Sequence, residues 1–380
     1  MSYTEATIQL LSPEGRPVEN DANAELWPYI NRLDDDRLRE FHRQMVVIRG
    51  IDLEAANLQR QGQLALWVPS VGQEAAQVGS GYAARPQDHI FPAYREHVVA
   101  RIRGVDPIKI IAMLRGVSHG GWDPAEHQNF HLYTLVIGSQ TLHATGYAMG
   151  LTFDGATGTG DPERDAAVLV YFGDGATSQG DVSEAFVFAA SYQTPQVFFL
   201  QNNQWAISVP VTRQSRTPLY LRPAGFGIPS TQIDGNDVLA SYAVSARDLD
   251  AARSGAGPRF IEALTYRIGA HTTSDDPTKY RDDEQMAWWT ARDPIERFEA
   301  YLRSRGEGDA FFDDVRTEAL DAAADVRRGT LALESPPMSN VFANVYSEPH
   351  PRVDEQRAWL EQYEAQFADQ QDEQQGEASA

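Results

Sequence analysis

The chain has 380 residues, 42% of them hydrophobic, which is long enough for a large core, and it carries a formal net charge of −22 with no cysteine. These values exclude disulfides, thiolate metal sites and cysteine nucleophiles, leave oxygen and imidazole as metal donors, and argue against a nucleic-acid groove, which needs a basic face. Only Lys109 and Lys279 are lysines and neither follows a glycine, so a phosphate-binding loop of the form GxxxxGK[ST] is absent.

No apolar run approaches the ~20 residues a membrane helix needs, and the first residues lack the basic start and apolar middle of a secretory signal. A cytoplasmic protein without membrane or nucleic-acid partners is expected. Residues 1–35, punctuated by Pro13, Pro17 and Pro28, read as an extended arm with a short helical start. The spacing of Leu38, Phe41, Met45, Ile48, Ile51 and Leu53 predicts an amphipathic helix from Arg37 to Gln61. A helix over Gln73 to Ala84, a short strand over His89 to Tyr94 and a helix over Glu96 to Gly104 follow.

Residues 116–134 read as a loop rich in glycine and histidine, and a helix is predicted from near Gln140 to Phe153. His127 and His131 stand four apart, a spacing that suits zinc on a helix. The stretch between them holds no glutamate and reads as loop, so zinc is not expected. Ala167–Phe172, Gln196–Gln201 and Arg259–Arg267 are short runs of branched and aromatic residues, with another strand near Ile233. Helices between such strands give a parallel sheet covered on both faces, an α/β fold. Beyond Glu284 the chain turns helical over Met286–Arg305 and Asp313–Arg327. An extended, proline-marked segment ESPPMSNVFANVY and an acidic helix over Val353–Phe367 precede a tail, Ala368–Ala380, with almost nothing to bury. The expected domains are the arm at 1–35, the α/β unit with its helical extension at 36–350, and an acidic helix and tail at 351–380.

The chemistry concentrates at two strand ends. One apolar run stops on Gly173-Asp174-Gly175 and the next on Asn202-Asn203. In open parallel sheets ligands bind beyond the carboxyl ends of the strands, so Asp174 and Asn203 converge if their strands are neighbours. Two oxygen donors suit a hard cation such as magnesium, which takes few protein ligands and completes its shell with phosphate oxygens. Gly173 and Gly175 allow close backbone approach, and the following helix points its amino end at such an anion. Ser178 and Asp181 have capping-box-like spacing, which makes Asp181 a helix-start residue rather than a ligand.

Gly-Asp-Gly alone is equally a strand-end turn. With Asn-Asn one strand later it resembles the thiamine-diphosphate signature, and FPAYREH, VIGSQ, YFGDGATSQGD, QNNQWAIS, QIDGNDV and TYRIGAHTTSDDPTKYR together resemble the α subunit of the heterotetrameric 2-oxo acid dehydrogenases. That family includes the pyruvate, branched-chain 2-oxo acid and acetoin enzymes, and the likeness runs over residues 35–350. It implies a thiamine-diphosphate-binding fold and oxidative decarboxylation of a small 2-oxo acid, with the acyl group passing to the lipoyl domain of an acyltransferase component. It also implies an α2β2 heterotetramer whose β subunit supplies the carboxylic acid at the cofactor's pyrimidine, for which this chain offers no convincing residue.

By the same resemblance Asp174, Asn203 and the backbone carbonyl of Trp205 hold magnesium, while Tyr94, Arg95, Gly173, Gly175 and Ala176 hold the diphosphate. Leu135 and Ile137 grip the aminopyrimidine through backbone groups, and Thr134, Ser139 and Gln140 hold a potassium ion. His271 is the active-site histidine that contacts the cofactor, and His119 a second one. Leu66 and Trp67 are expected in the substrate wall. Gln201 departs from the arginine found in some branched-chain relatives, and Thr272 stands where mitochondrial relatives carry a phosphoserine. A non-catalytic homologue would keep the fold but lose the metal ligands or the loop histidine, and all of these are present.

Overall fold

The computed structural model describes residues 7–118 and 120–367. Its contacts divide the chain into two units, Met1–Ala332 and Leu333–Ala380. Chain order in the first unit gives α1 (Asp35–Arg60), α2 (Glu74–Ala83), β1 (His89–Phe91), α3 (His97–Ile102), α4 (Pro107–Arg115), α5 (Ser139–Phe153), β2 (Val168–Gly173), α6 (Gly180–Tyr192), β3 (Gln196–Asn202), β4 (Ser230–Asp234), α7 (Val238–Arg253) and β5 (Arg259–Leu264). Three further helices follow, α8 (Asp283–Thr290), α9 (Pro294–Ser304) and α10 (Asp309–Leu331).

The five strands form one sheet in the order β1-β2-β3-β5-β4, and every neighbouring pair is parallel. All of β3 is buried, as a strand covered on both faces must be. Alternate residues sort to the two faces. Val168, Val170 and Phe172 pack with Phe198, Leu200 and Phe260 against Ala144 and Ala148 of α5 and Ala185, Phe186 and Ala189 of α6. The opposite face carries Tyr171, whose hydroxyl lies 2.7 Å from Ser80 Oγ of α2.

On that opposite face α2 and α7 pack closely because Gly79 has no side chain: a Cβ there would sit 2.6 Å from both Tyr242 N and Val238 O. The arm is held tightly. Ile8 bridges Ile233 in parallel at the β4 edge, which covers that edge, and Leu10 and Leu11 donate their N–H groups to Asp237 Oδ2 at 2.7 and 2.6 Å. Arg297, itself buried, donates to Ser12 O at 3.0 Å and to Asp234 Oδ2 at 2.6 Å, so the arm and α9 close on the same acidic pair.

Several expectations are corrected. The helix expected over Met286–Arg305 is two, α8 and α9, because Asp293 caps a new helix whose first residue is Pro294. Residues 107–115, not singled out in the sequence, form α4, started by Asp106 accepting from Ile108 N and ended at Gly116 with φ +81°. Pro124–His127 is a 3-10 turn inside the expected loop, and the strand at His89 ends at Phe91. Helix α6 begins at Gly180 after a 3-10 turn over Asp174–Ser178, with Gln179 as an N-cap that makes no side-chain bond. The Ser178–Asp181 box is therefore replaced by a longer turn, although Asp181 does lie in the first helical turn. In the second unit, the proline-marked segment contains a short helix at Asn340–Ala343, and Pro351–Glu364 forms the acidic helix. Residues 368–380 lie outside the described residues.

Gly79→Ala replaces a poor helix former with the best one, yet it drives a methyl into the backbone of α7. We expect a net loss of about 1–3 kcal/mol, read as a lower midpoint in urea unfolding.

Candidate functional site at the carboxyl edge of the sheet

Strands β2 and β3 are neighbours, with Gly173 registered against Gln201 and β3 in turn paired to β5 through Asn202 and Leu264. The residues that follow each strand thus leave the sheet at one edge. Together they line a cavity of about 300 Å³, walled by Tyr94, Arg95, Gly173, Asp174, Gly175, Ala176, Asn203, Trp205 and His271. Ile137, Thr134 and Gln140 also line it. Leu135 is exposed and Ser139 donates its hydroxyl to Val136 O at 2.9 Å; neither side chain borders the cavity. His119 lies outside the described residues.

Only the second asparagine faces this space. Asn202 Nδ2 donates to the buried Glu262 Oε1 at 2.6 Å, whereas Asn203 lines the cavity with its Oδ1 3.3 Å from Trp205 N. Leu66 and Trp67 are not in the wall either. Trp67 is stacked on His97 and donates its indole N–H to Asp52 Oδ1 at 2.6 Å, so packing and a buried carboxylate account for it. His127 and His131 part company: the first lies 3.1 Å from Lys109 Nζ, the second 3.2 Å from His89 Nδ1 and stacked on Phe91.

The charges on the cavity wall are poorly balanced by protein. Asp174 is 1% exposed, and burial pushes its carboxyl up to about 6 against the opposing influence of Gln214 and Arg267. Arg95 is 6% exposed, yet among the described residues its guanidinium forms no ion pair. It donates instead to two carbonyls, Pro69 O and, at 3.2 Å, His271 O. A buried cation held only by neutral groups and a buried carboxylate pushed toward protonation are both costly unless a ligand of opposite charge completes them. A Cβ at Gly173 would meet nothing within 4 Å, and Gln140 Oε1 is buried without a hydrogen-bond partner. At Gly175 the space is closed, with a Cβ there 2.9 Å from Ala206 Cβ, so that glycine serves packing of the turn against the next loop. No cluster of three or more histidine, aspartate or glutamate side chains that could hold a metal exists among the described residues. The donor set of one carboxylate, one amide and one backbone carbonyl therefore fits a hard divalent ion that shares its shell with phosphate.

His271 stands between two guanidinium groups. Its Nδ1 lies 3.4 Å from Arg95 Nη2 and 3.4 Å from Arg267 Nη1, and its backbone N–H donates to Asp275 Oδ2 at 2.8 Å. Two donors facing Nδ1 make it the acceptor nitrogen and leave the proton on Nε2. Burial first, then Arg95 and Arg267, lower its pKa to about 4. Arg267 belongs to the TYRIGAH stretch, where the resemblance assigns it no role. Buried, it donates to Trp205 O at 3.1 Å, to Ile207 O at 2.7 Å and to the Tyr280 hydroxyl at 2.8 Å. Glu96, also missed, accepts from Gln201 Nε2 at 2.6 Å, and Gln77 donates to Gln201 Oε1 at 3.1 Å. The signal for both was their place inside quoted motifs, beside residues already assigned.

The model of the dehydrogenase E1 component family matches residues 42–319 of the chain. The 3-methyl-2-oxobutanoate dehydrogenase subunit alpha of Mycobacterium tuberculosis is 41% identical over 362 residues, 95% of each chain. The pyruvate dehydrogenase E1 component subunit alpha of Bacillus subtilis is 37% identical over 79% of this chain and 77% of its own length. That of Staphylococcus aureus is 35% identical over 84% and 82%.

The folded pKa of His271 lies below its ordinary value of 6.5. Between that value and about 4 the unfolded chain takes up the proton more readily, so acidification through this window destabilises the folded site. In carbon-13-histidine NMR, the resonance lost in His271→Gln is expected not to titrate between pH 7.5 and 5.5; a midpoint near 6.5 would refute the arrangement of guanidiniums around it.

Proposed function

The chain belongs to the dehydrogenase E1 component family, whose members are thiamine-diphosphate-dependent 2-oxo acid dehydrogenases, and from that premise we propose that it is the α subunit of such an enzyme acting on a branched-chain 2-oxo acid. The observation that carries the site assignment is the convergence of Arg95, Asp174, Asn203, Trp205 and His271 on one cavity at the carboxyl edge of the sheet. Asp174, the Asn203 amide oxygen and the Trp205 carbonyl would hold magnesium. Arg95 and Tyr94 would meet the diphosphate, for which a guanidinium fork is well shaped. Trp205 O already accepts from Arg267, but a carbonyl oxygen has a second lone pair for a cation.

Thiamine diphosphate, when bound, supplies the electron sink for loss of carbon dioxide. The chain's own residues bind and orient. Arg95 neutralises phosphate charge, and the buried carboxylate of Asp174 is kept ionised by the cation it holds. His271, neutral and protonated on Nε2, presents a hydrogen-bond donor to the reacting centre and can exchange that proton as the acyl group departs. A potassium ion beside Thr134, Ser139 and Gln140 would be served at the wall by Thr134 and Gln140. The second active-site histidine of the resemblance is His119. The remaining carboxylic acid would come from a β subunit in an α2β2 assembly, and the acyl group would pass to a lipoyl domain. No helix among the described residues is long and apolar enough to cross a membrane.

A second reading, pyruvate as substrate, is favoured by the names of the Bacillus and Staphylococcus relatives. Competition between 3-methyl-2-oxobutanoate and pyruvate on the purified complex decides between them. We expect kcat/KM to favour the branched acid by about 10-fold or more, the scale set by extra methyl groups in an apolar pocket.

The chain without its β partner should show little decarboxylation with cofactor and magnesium present; full activity would overturn the two-subunit site. Asp174→Ala should abolish magnesium-dependent cofactor binding in calorimetry. His271→Ala should leave cofactor affinity near that of the parent and slow acyl transfer.

A further inference from the structure

Gln214 carries no motif, yet it touches the proposed metal ligand. After Asn203 the chain forms a small hairpin, Trp205–Ala206 against Val209–Pro210, then a single helical turn, Val211–Gln214. Gln214 ends that turn and folds its side chain back. Its Nε2 donates to Asp174 Oδ2 at 2.7 Å and to Val209 O at 3.3 Å, while its Oε1 is buried without a hydrogen-bond partner. The same Oε1 lies 4.0 Å from where a Cβ on Gly175 would stand. Arg267 pins the near end of the loop through Trp205 O and Ile207 O. The loop that carries the Trp205 carbonyl is thus fastened at both ends, once by a buried guanidinium and once by this amide.

We propose that Gln214 is the positioning residue of the metal site: its amide N–H fixes the Asp174 carboxylate by occupying Oδ2, leaving the other oxygen to a divalent cation. This rests on the reading of Asp174 and Asn203 as cation ligands. An amide is suited to the task because it offers a donor without charge. A lysine or arginine there would compete with the cation for Asp174, and an apolar residue would leave the carboxylate free to rotate. Magnesium retains several waters when it binds, and each is a donor seeking an acceptor. Gln214 Oε1 is closed off from solvent, so Gln214 acts on the site through its donor to Asp174 and not through those waters. Outer-shell partners that orient a ligand in this way typically hold 10–100-fold of metal affinity.

The test uses the full chain assembled with its β partner, saturating thiamine diphosphate, and Mn2+ as the probe, with free Mn2+ read by electron paramagnetic resonance. Gln214→Ala and the similar-sized Gln214→Met are both expected to weaken Mn2+ binding by about 10–100-fold. Their thermal midpoints without cofactor and metal should stay at the parent value. Parent-like Mn2+ affinity in both variants overturns the inference, as does a lowered metal-free midpoint with unchanged Mn2+ affinity, which would mark Gln214 as a packing residue. Absence of Mn2+ binding in the parent complex would instead overturn the reading of Asp174 and Asn203 themselves.

Discussion

The site depends on one pairing, that of β2 with β3. Because these strands are parallel and adjacent, with Gly173 level with Gln201, the chain leaves both at the same edge within one or two residues of each other. A one-residue slip of β3 would exchange Asn202 and Asn203, since neighbouring side chains on a strand point to opposite faces. Asn202 would then turn to the cavity and Asn203 to Glu262. The apolar side chains fix the register: Phe198 and Leu200 pack with α5 and α6 on one side while Phe199 packs at a tilt against Tyr171 on the other. Burial of the strand thereby specifies the chemistry at its tip.

Around that tip the chain gathers charge that it neutralises only weakly: Arg95 forms no ion pair among the described residues, and Arg267 only a long one to Asp275 Oδ2 at 3.9 Å. Arg95 and Arg267 flank His271, and burial pushes the carboxyls of Asp174 and Glu96 up to about 6. Elsewhere the fold pairs its buried ions: Arg253 donates to Asp88, and Arg297 to Asp234. The contrast separates structure from function. A buried ion pair closed within the protein needs nothing further, whereas buried charges of both signs left apart across a cavity are prepared for a ligand that is itself dipolar, such as a diphosphate with its cation. His271 stays neutral in this arrangement, so its Nε2 carries a hydrogen-bond donor without a further positive charge.

Much of this was legible because the signals were local. Apolar runs ending in glycine or asparagine marked β2 and β3, and an Asp-Pro start with a glycine end was available for α4 though it was not read. The division of α8 from α9 was equally local, in Asp293-Pro294, but the surrounding apolar periodicity runs across it. What the sequence could not disclose was partnership at a distance. Gln214 is separated from Asp174 by 40 residues that include α6 and β3 and bears no type-specific mark; Arg267 and Trp205 meet only because β5 lies beside β3. The burial of the arm is of the same kind, since Leu10 and Leu11 find their acceptor in Asp237, at the start of α7. Leu66 and Trp67 were placed in the wall by resemblance, but the nearer claims of His97 and Asp52 hold Trp67 elsewhere.

Glu96 bears on the division of the site between two chains. It lines the cavity, it is buried, and its pKa of about 6 gives it the profile of a general acid. Both of its oxygens are engaged, however. Oε1 accepts from Gln201 Nε2 and Oε2 faces the backbone N–H of Arg95 at 3.3 Å. A carboxylate that accepts from Gln201 with one oxygen and from the backbone carrying Arg95 with the other cannot turn into the cavity without giving up one of those bonds. The exposed apolar side chains of Leu135, Val136 and Ile137, the last of which lines the cavity, are costly on a free surface. Together these two facts fit the proposal that the site is completed from outside this chain.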